Sequence, residues 1–196
     1  MEYPDFLARR RELIASVIAD GYKRLSEGEQ PSDKDRPVPT LEELLGDGET
    51  TTVEFKSTLR VNLHTGQKDP RMELMCLKTI AAFLNSAKGG TLIIGVRDDA
   101  TPLGIEADQF PNEDNMNLHL VNLINDKLGR QTGLYIHPRF EDSDRHRVLA
   151  VECWPSKLPV FVKDGNVERF YIRTGAATSE LTASQVQQYI EQRFKR

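Results

Sequence analysis

Four carboxylates and a lysine carry the first chemical pattern in the chain. Glu49 precedes an alternating segment, Glu54 and Lys56 project from that segment, and Asp98 and Asp99 follow an apolar run at residues 91–96. If the two segments are neighbouring strands, these acids converge at one edge of a sheet. Hard divalent cations such as Mg²⁺ or Mn²⁺ take oxygen ligands, one or two carboxylates together with water and substrate phosphate. An ion held among these acids would polarise a phosphodiester and activate a nucleophile, with Lys56 offsetting the developing charge. Spacing alone leaves a second reading open, because carboxylates at strand ends are often simply solvated.

The second pattern is cationic and aromatic. Along residues 167–173, Arg169, Tyr171 and Arg173 fall on one face of a strand, and Phe170 and Ile172 on the core face. Arginine forks grip phosphate and tyrosine stacks on bases, so the strip is a candidate nucleic-acid contact. The other reading is an ordinary exposed strand face whose arginines pair with acids.

Several chemistries are excluded. Gly89, Gly90 and Gly95 precede or end a strand instead of opening a helix, and no GxxxxGK[ST] occurs, so there is no P-loop for ATP. The four histidines (His64, His119, His137, His146) show no metal-ligand spacing. Cys76 and Cys153 are too far apart in sequence for a zinc knuckle and read as small core residues, so no structural zinc is expected. No serine has the context of a nucleophile elbow, which leaves acyl transfer without support.

The elements that must position these residues follow from periodicity. Residues 5–25 read as an amphipathic helix within a segment 1–27, with Arg9, Arg10 and Arg11 on its first turns. Residues 28–39 are a polar linker containing Pro31, Pro37 and Pro39, and residues 40–196 form the main domain. There, Thr40 and Glu43 make a capping box ahead of a short helix, and residues 51–58 alternate as a strand. Residues 60–70 read as a polar loop. Residues 71–86 form a helix apolar around most of its girth, which must lie against a sheet. The continuous run at 91–96 is a strand buried on both faces. A helix at 114–128, strands at 135–140, 147–154 and 167–173, and a last helix opened by Thr182 and Gln185 complete the order. The fold class is α+β (mixed α/β), with one central, mostly antiparallel sheet packed by helices and preceded by the N-terminal helix.

The chain's 196 residues carry 26 Lys plus Arg and 30 Asp plus Glu, for a net charge of −4. That balance disfavours a nonspecific DNA coat, which needs a broad basic excess, but leaves room for a local cationic patch. No apolar run approaches the length of a membrane span, and the N-terminus lacks a signal core, so a cytoplasmic location is expected.

Three blocks, in order, resemble a known family. Residues 49–57, ETTTVEFKS, resemble the opening ExxxxEFK block of Schlafen-type AlbA-like domains. Residues 81–99, AAFLNSAKGGTLIIGVRDD, are similar to the second block, and residues 170–175, FYIRTG, to the closing YxRxG block. The resemblance implies a divalent-metal-dependent endoribonuclease acting on structured RNA such as tRNA, with Glu49, Glu54 and Asp98 as metal-binding acids. Arg97 stands where many members have another acid. Lys88 and Arg97 extend the candidate nucleic-acid-binding set of Arg169, Tyr171 and Arg173. Prokaryotic members also imply a second reading, a non-catalytic DNA- or RNA-binding or regulatory module, sometimes linked to phage defence. The eukaryotic nuclease pairs two lobes and carries zinc, whereas this chain has one lobe and no cysteine cluster. The resemblance therefore implies a homodimer, with the N-terminal helix as its contact or as a dock for a partner protein, and RNA favoured over DNA as ligand.

Overall fold

The computed structural model describes residues 39–46 and 48–195; the expected N-terminal helix and linker lie outside the described residues. Helix α1 (Leu41–Gly46) starts at the capping box read from the sequence. The Thr40 N–H donates to the Glu43 carboxylate at 2.8 Å, and the Glu43 N–H donates to Thr40 Oγ1 at 3.3 Å.

Strand β1 (Val53–Lys56) is followed by a small hairpin, β2 (Val61–Asn62) and β3 (Gln67–Lys68), where the sequence predicts only a polar loop. Helix α2 (Pro70–Asn85) then leads to β4 (Gly90–Ile94). Asp69 caps α2 through the Arg71 N–H, and Pro70 occupies the first turn, where a missing N–H costs nothing. β1 and β4 pair in parallel, Glu54 opposite Leu92 and Lys56 opposite Ile94. A parallel pair needs a crossover, and α2 supplies it. Helix α3 (Glu113–Lys127) precedes β5 (Ile136–Ser143) and β6 (His146–Cys153), which add antiparallel strands in the order β1-β4-β6-β5. The expected central sheet, antiparallel except for one pair, is observed.

β4 is buried on both faces, as its unbroken apolar run requires. Ile93 and Val96 pack with Leu41, Leu44 and Phe55 beneath α1. Leu92 and Ile94 face the larger core with Ile80, Leu84, Leu120 and Leu149. The chain turns into β4 through Gly89 and Gly90. Gly89 holds a φ of +73°, and a Cβ there would overlap the Cys153 carbonyl; one on Gly90 would collide with the Phe83 ring.

The closing strands form a second sheet. β7 (Phe161–Asp164), β8 (Val167–Thr174) and β9 (Ala177–Glu180) pair antiparallel, and Val162 and Tyr171 join the same core as α2. Helix α2 thus lies between two sheets, which is why Cys76, Leu77 and every residue from Thr79 to Asn85 is buried. Helix α4 (Ala183–Arg193), with its predicted Thr182–Gln185 capping box, covers the other side of β8, where the Phe170 and Tyr189 rings stand 5.8 Å apart.

Asn85, at the end of α2, joins these layers. Its amide nitrogen donates to the carbonyls of Val160 (2.9 Å) and Tyr171 (3.0 Å), and its Oδ1 accepts the Val160 N–H at 2.9 Å. Every polar atom of this buried amide is thereby used. Asn85→Ala strands three backbone groups and is expected to destabilise the protein by about 2 kcal/mol, read as a lower urea midpoint at unchanged slope. A midpoint within error of wild type would show that water replaces the amide.

Candidate functional site

The first and third sequence blocks, read above as two separate constellations, meet in one ion-paired cluster. Glu54 lies on the α2 side of β1 and is nearly buried. Lys56 Nζ stands 2.6 Å from its Oε1, and Arg173 Nη1 stands 2.7 Å from its Oε2. Arg173 also donates to the Thr50 carbonyl at 2.7 Å and to Thr178 Oγ1 at 3.1 Å. Its guanidinium carbon lies 4.9 Å from the centre of the Phe83 ring, which the second block contributes. Only 3% of the Arg173 side chain is exposed. The arginine therefore bridges the second sheet to the first, and both oxygens of Glu54 are held by cations of the protein itself.

The other acids have separate duties. Glu49 is exposed, and its Oε1 accepts the Phe55 N–H at 2.9 Å, which covers the open edge of β1. Asp98 sits exposed in the turn beyond the far end of β4. Beside it, hydrogen bonds from Thr101 hold the Asp99 carboxyl below its ordinary value. Among the described residues, no group of three His, Cys, Asp or Glu side chains is placed to hold a metal ion. The structure does not bring Glu49, Glu54 and Asp98 into one ion-binding group.

The strip on β8 has the alternation that the sequence predicts, but it faces inward. Tyr171 is 3% exposed, with Lys78 Nζ 5.3 Å from its ring centre, so its face is not open to a base. Burial, and then the Glu180 carboxylate at 3.3 Å from its hydroxyl, push the phenol up to about 12. Arg169 is partly exposed and pairs with Glu180 at 2.8 Å and Asp164 at 3.7 Å. A period of two groups these side chains correctly; it carries no sign that β8 is covered on both faces. Lys88 and Arg97 are exposed, at opposite ends of β4.

One buried acid has no sequence signal. Asp108, in a 3₁₀ turn at Glu106–Asp108, is fully buried and accepts the N–H groups of Leu59 (2.7 Å), Arg60 (2.8 Å) and Val61 (3.1 Å). Arg60 returns the contact through the Asp108 and Gln109 carbonyls, both at 2.8 Å, with its guanidinium over Phe110. Burial raises the Asp108 carboxyl above its ordinary value, against the three N–H groups that favour the anion. Cys76 and Cys153 are both buried, and burial pushes the Cys76 thiol up to about 12, which suits packing and not nucleophilic work.

No functionally curated protein matches the sequence. Among solved structures, the chain is similar to the DIP2311 protein of Corynebacterium diphtheriae, at 17% identity and a TM-score of 0.53. That match covers 94% of this chain, which spans only 33% of the DIP2311 chain. It is also similar to the N-terminal domain of a RecG-related protein of Nitrosomonas europaea, at 18% identity and a TM-score of 0.49, over 74% of this chain and 94% of that one. Residues 49–182 match the family described as Schlafen, AlbA_2, a span that runs from the acid covering the edge of β1 to the cap of the last helix. The chain belongs to the Schlafen, AlbA_2 family.

Proposed function

We propose that the protein is a nucleic-acid-binding module that holds its ligand through cations and does not cut it with a three-carboxylate metal centre. Family membership supports the nucleic-acid relation. The observation that carries the choice between binding and cleavage is the state of Glu54, whose two oxygens are taken by Lys56 and Arg173. A carboxylate needs an intervening cation to approach phosphate, and here the cations are side chains already anchored in the fold. RNA is favoured over DNA as the ligand, and dimerisation would extend a single-lobe surface into a groove. Among the described residues no helix is long and apolar enough to cross a membrane.

The test uses labelled tRNA and duplex DNA with Mg²⁺, with Mn²⁺ and with EDTA, scored for both retention and cleavage. Binding that weakens with salt, persists in EDTA and leaves the nucleic acid intact is the expected result. Metal-dependent cutting that disappears in Glu54→Gln and Asp98→Asn would establish the competing endoribonuclease reading. Light scattering on the same sample decides whether the protein is a dimer.

A further inference from the structure

Resting on the nucleic-acid reading above, we infer that the β2–β3 hairpin and the cleft beside it form the surface that contacts the phosphodiester backbone. The hairpin is held at its base. Asp108 takes three consecutive N–H groups at residues 59–61, and the Asp69 N–H closes the other strand onto the Arg60 carbonyl at 2.8 Å. Gln109 Nε2 reaches the Gly66 carbonyl near the tip at 3.2 Å. Burying a carboxylate to fix so short a hairpin makes little sense as packing, because residues 63–68 are all exposed and Leu63 stands 47% open to solvent. An exposed two-stranded ribbon anchored at its base is a shape that the major groove of B-DNA admits, and its cations suit the phosphates of either nucleic acid.

Charge points to the same ligand. From Arg60 to Arg71 the chain carries three cations (Arg60, Lys68, Arg71) and one acid (Asp69), a local +2 within a molecule of net −4. Lys68 is exposed and forms no ion pair among the described residues. The surface continues from Arg71 into a cleft of about 250 Å³ between α2, α3 and β7, which Lys127 and Lys163 also line. Its charged lining is largely paired: Glu73 Oε1 lies 2.7 Å from His119 Nε2, Asp164 3.7 Å from Arg169, Arg71 2.7 Å from Asp69 and Lys127 3.0 Å from Asp126. Lys163, by contrast, forms no ion pair among the described residues. A backbone laid from the hairpin into the cleft meets Lys68 and then Lys163, while the exposed Gln67 amide offers hydrogen-bonding groups to sugar and base edges.

The test is fluorescence anisotropy of the full chain with a labelled stem-loop RNA and, separately, a labelled 20-base-pair DNA duplex, each titrated over a range of KCl. Lys68→Ala/Lys163→Ala is expected to bind about tenfold more weakly than wild type, with a salt slope lower by roughly two, one for each phosphate contact removed. Both side chains are exposed, so an unchanged melting temperature shows that the loss is one of contact. Loss on either probe supports the inference, and the probe affected names the ligand. A double variant that binds both probes with wild-type affinity and slope overturns it and leaves the binding reading standing. Wild type that retains neither probe overturns both.

Discussion

Arg173→Met is expected to lower the unfolding free energy by about 3–5 kcal/mol, because it leaves Glu54 nearly buried with only half of its compensating charge. It also strips the Thr50 carbonyl of its donor. For a domain of this size each kcal/mol moves the melting temperature by about 2–4 °C, so a drop near 10 °C is expected by calorimetry. Glu54→Gln, which leaves Lys56 and the buried Arg173 facing one another without their acid, should destabilise at least as much. The double variant Glu54→Gln/Arg173→Met is expected to be more stable than the sum of the single losses predicts. Additive losses would show that the two side chains do not sense one another. The cycle also bears on chemistry, since an acid whose removal costs folding energy is being used for architecture.

Asp108→Ala is the second large effect. It leaves three buried N–H groups without an acceptor, at about 1–3 kcal/mol each before any relaxation, so a loss of about 4 kcal/mol is expected in urea unfolding. Asp108→Asn should cost less, because one of the two acceptor oxygens remains. The pH dependence of the gap between wild type and Asp108→Asn has a definite sign. Burial raises the native carboxyl, so the native state binds protons more readily than the unfolded chain across the window above the ordinary value of 3.8. Wild-type stability from this group therefore falls as pH rises through that window, and the gap to Asp108→Asn narrows. A gap that widens with pH would mean that the three N–H groups outweigh burial.

The secondary structure was legible wherever one physical signal dominated. The capping boxes at Thr40 and Thr182 open helices as read, and the unbroken apolar run at 91–96 became a strand covered on both faces. The girth of α2 announced burial all round, although not that the second cover would be another sheet. The hairpin at 61–68 carries no such signal because its strands are two residues each and bury only Val61, which leaves no hydrophobic alternation to detect. Asp108 was missed for a related reason: an acid in a polar stretch looks solvated unless the backbone it serves, some 48 residues earlier, is known to fold over it. The site was half legible. Glu54, Lys56 and Arg173 are all singled out, yet a one-dimensional reading places Glu54 and Lys56 in a metal set and Arg173 in a phosphate set. Opposite charges 119 residues apart in the chain are instead each other's partners.

That separation has a consequence for biosynthesis. At translation rates of about 5–20 residues per second, Arg173 is made roughly 6–24 s after Glu54. From the completion of α2 at residue 85 until β8 follows, the helix exists without the sheet that covers its far side, so a nascent chain must carry an apolar helix that β8 has yet to shield. Chains that terminate before residue 160 should accumulate as aggregates, and ribosome-associated chaperones should dwell longest on chains paused within that interval.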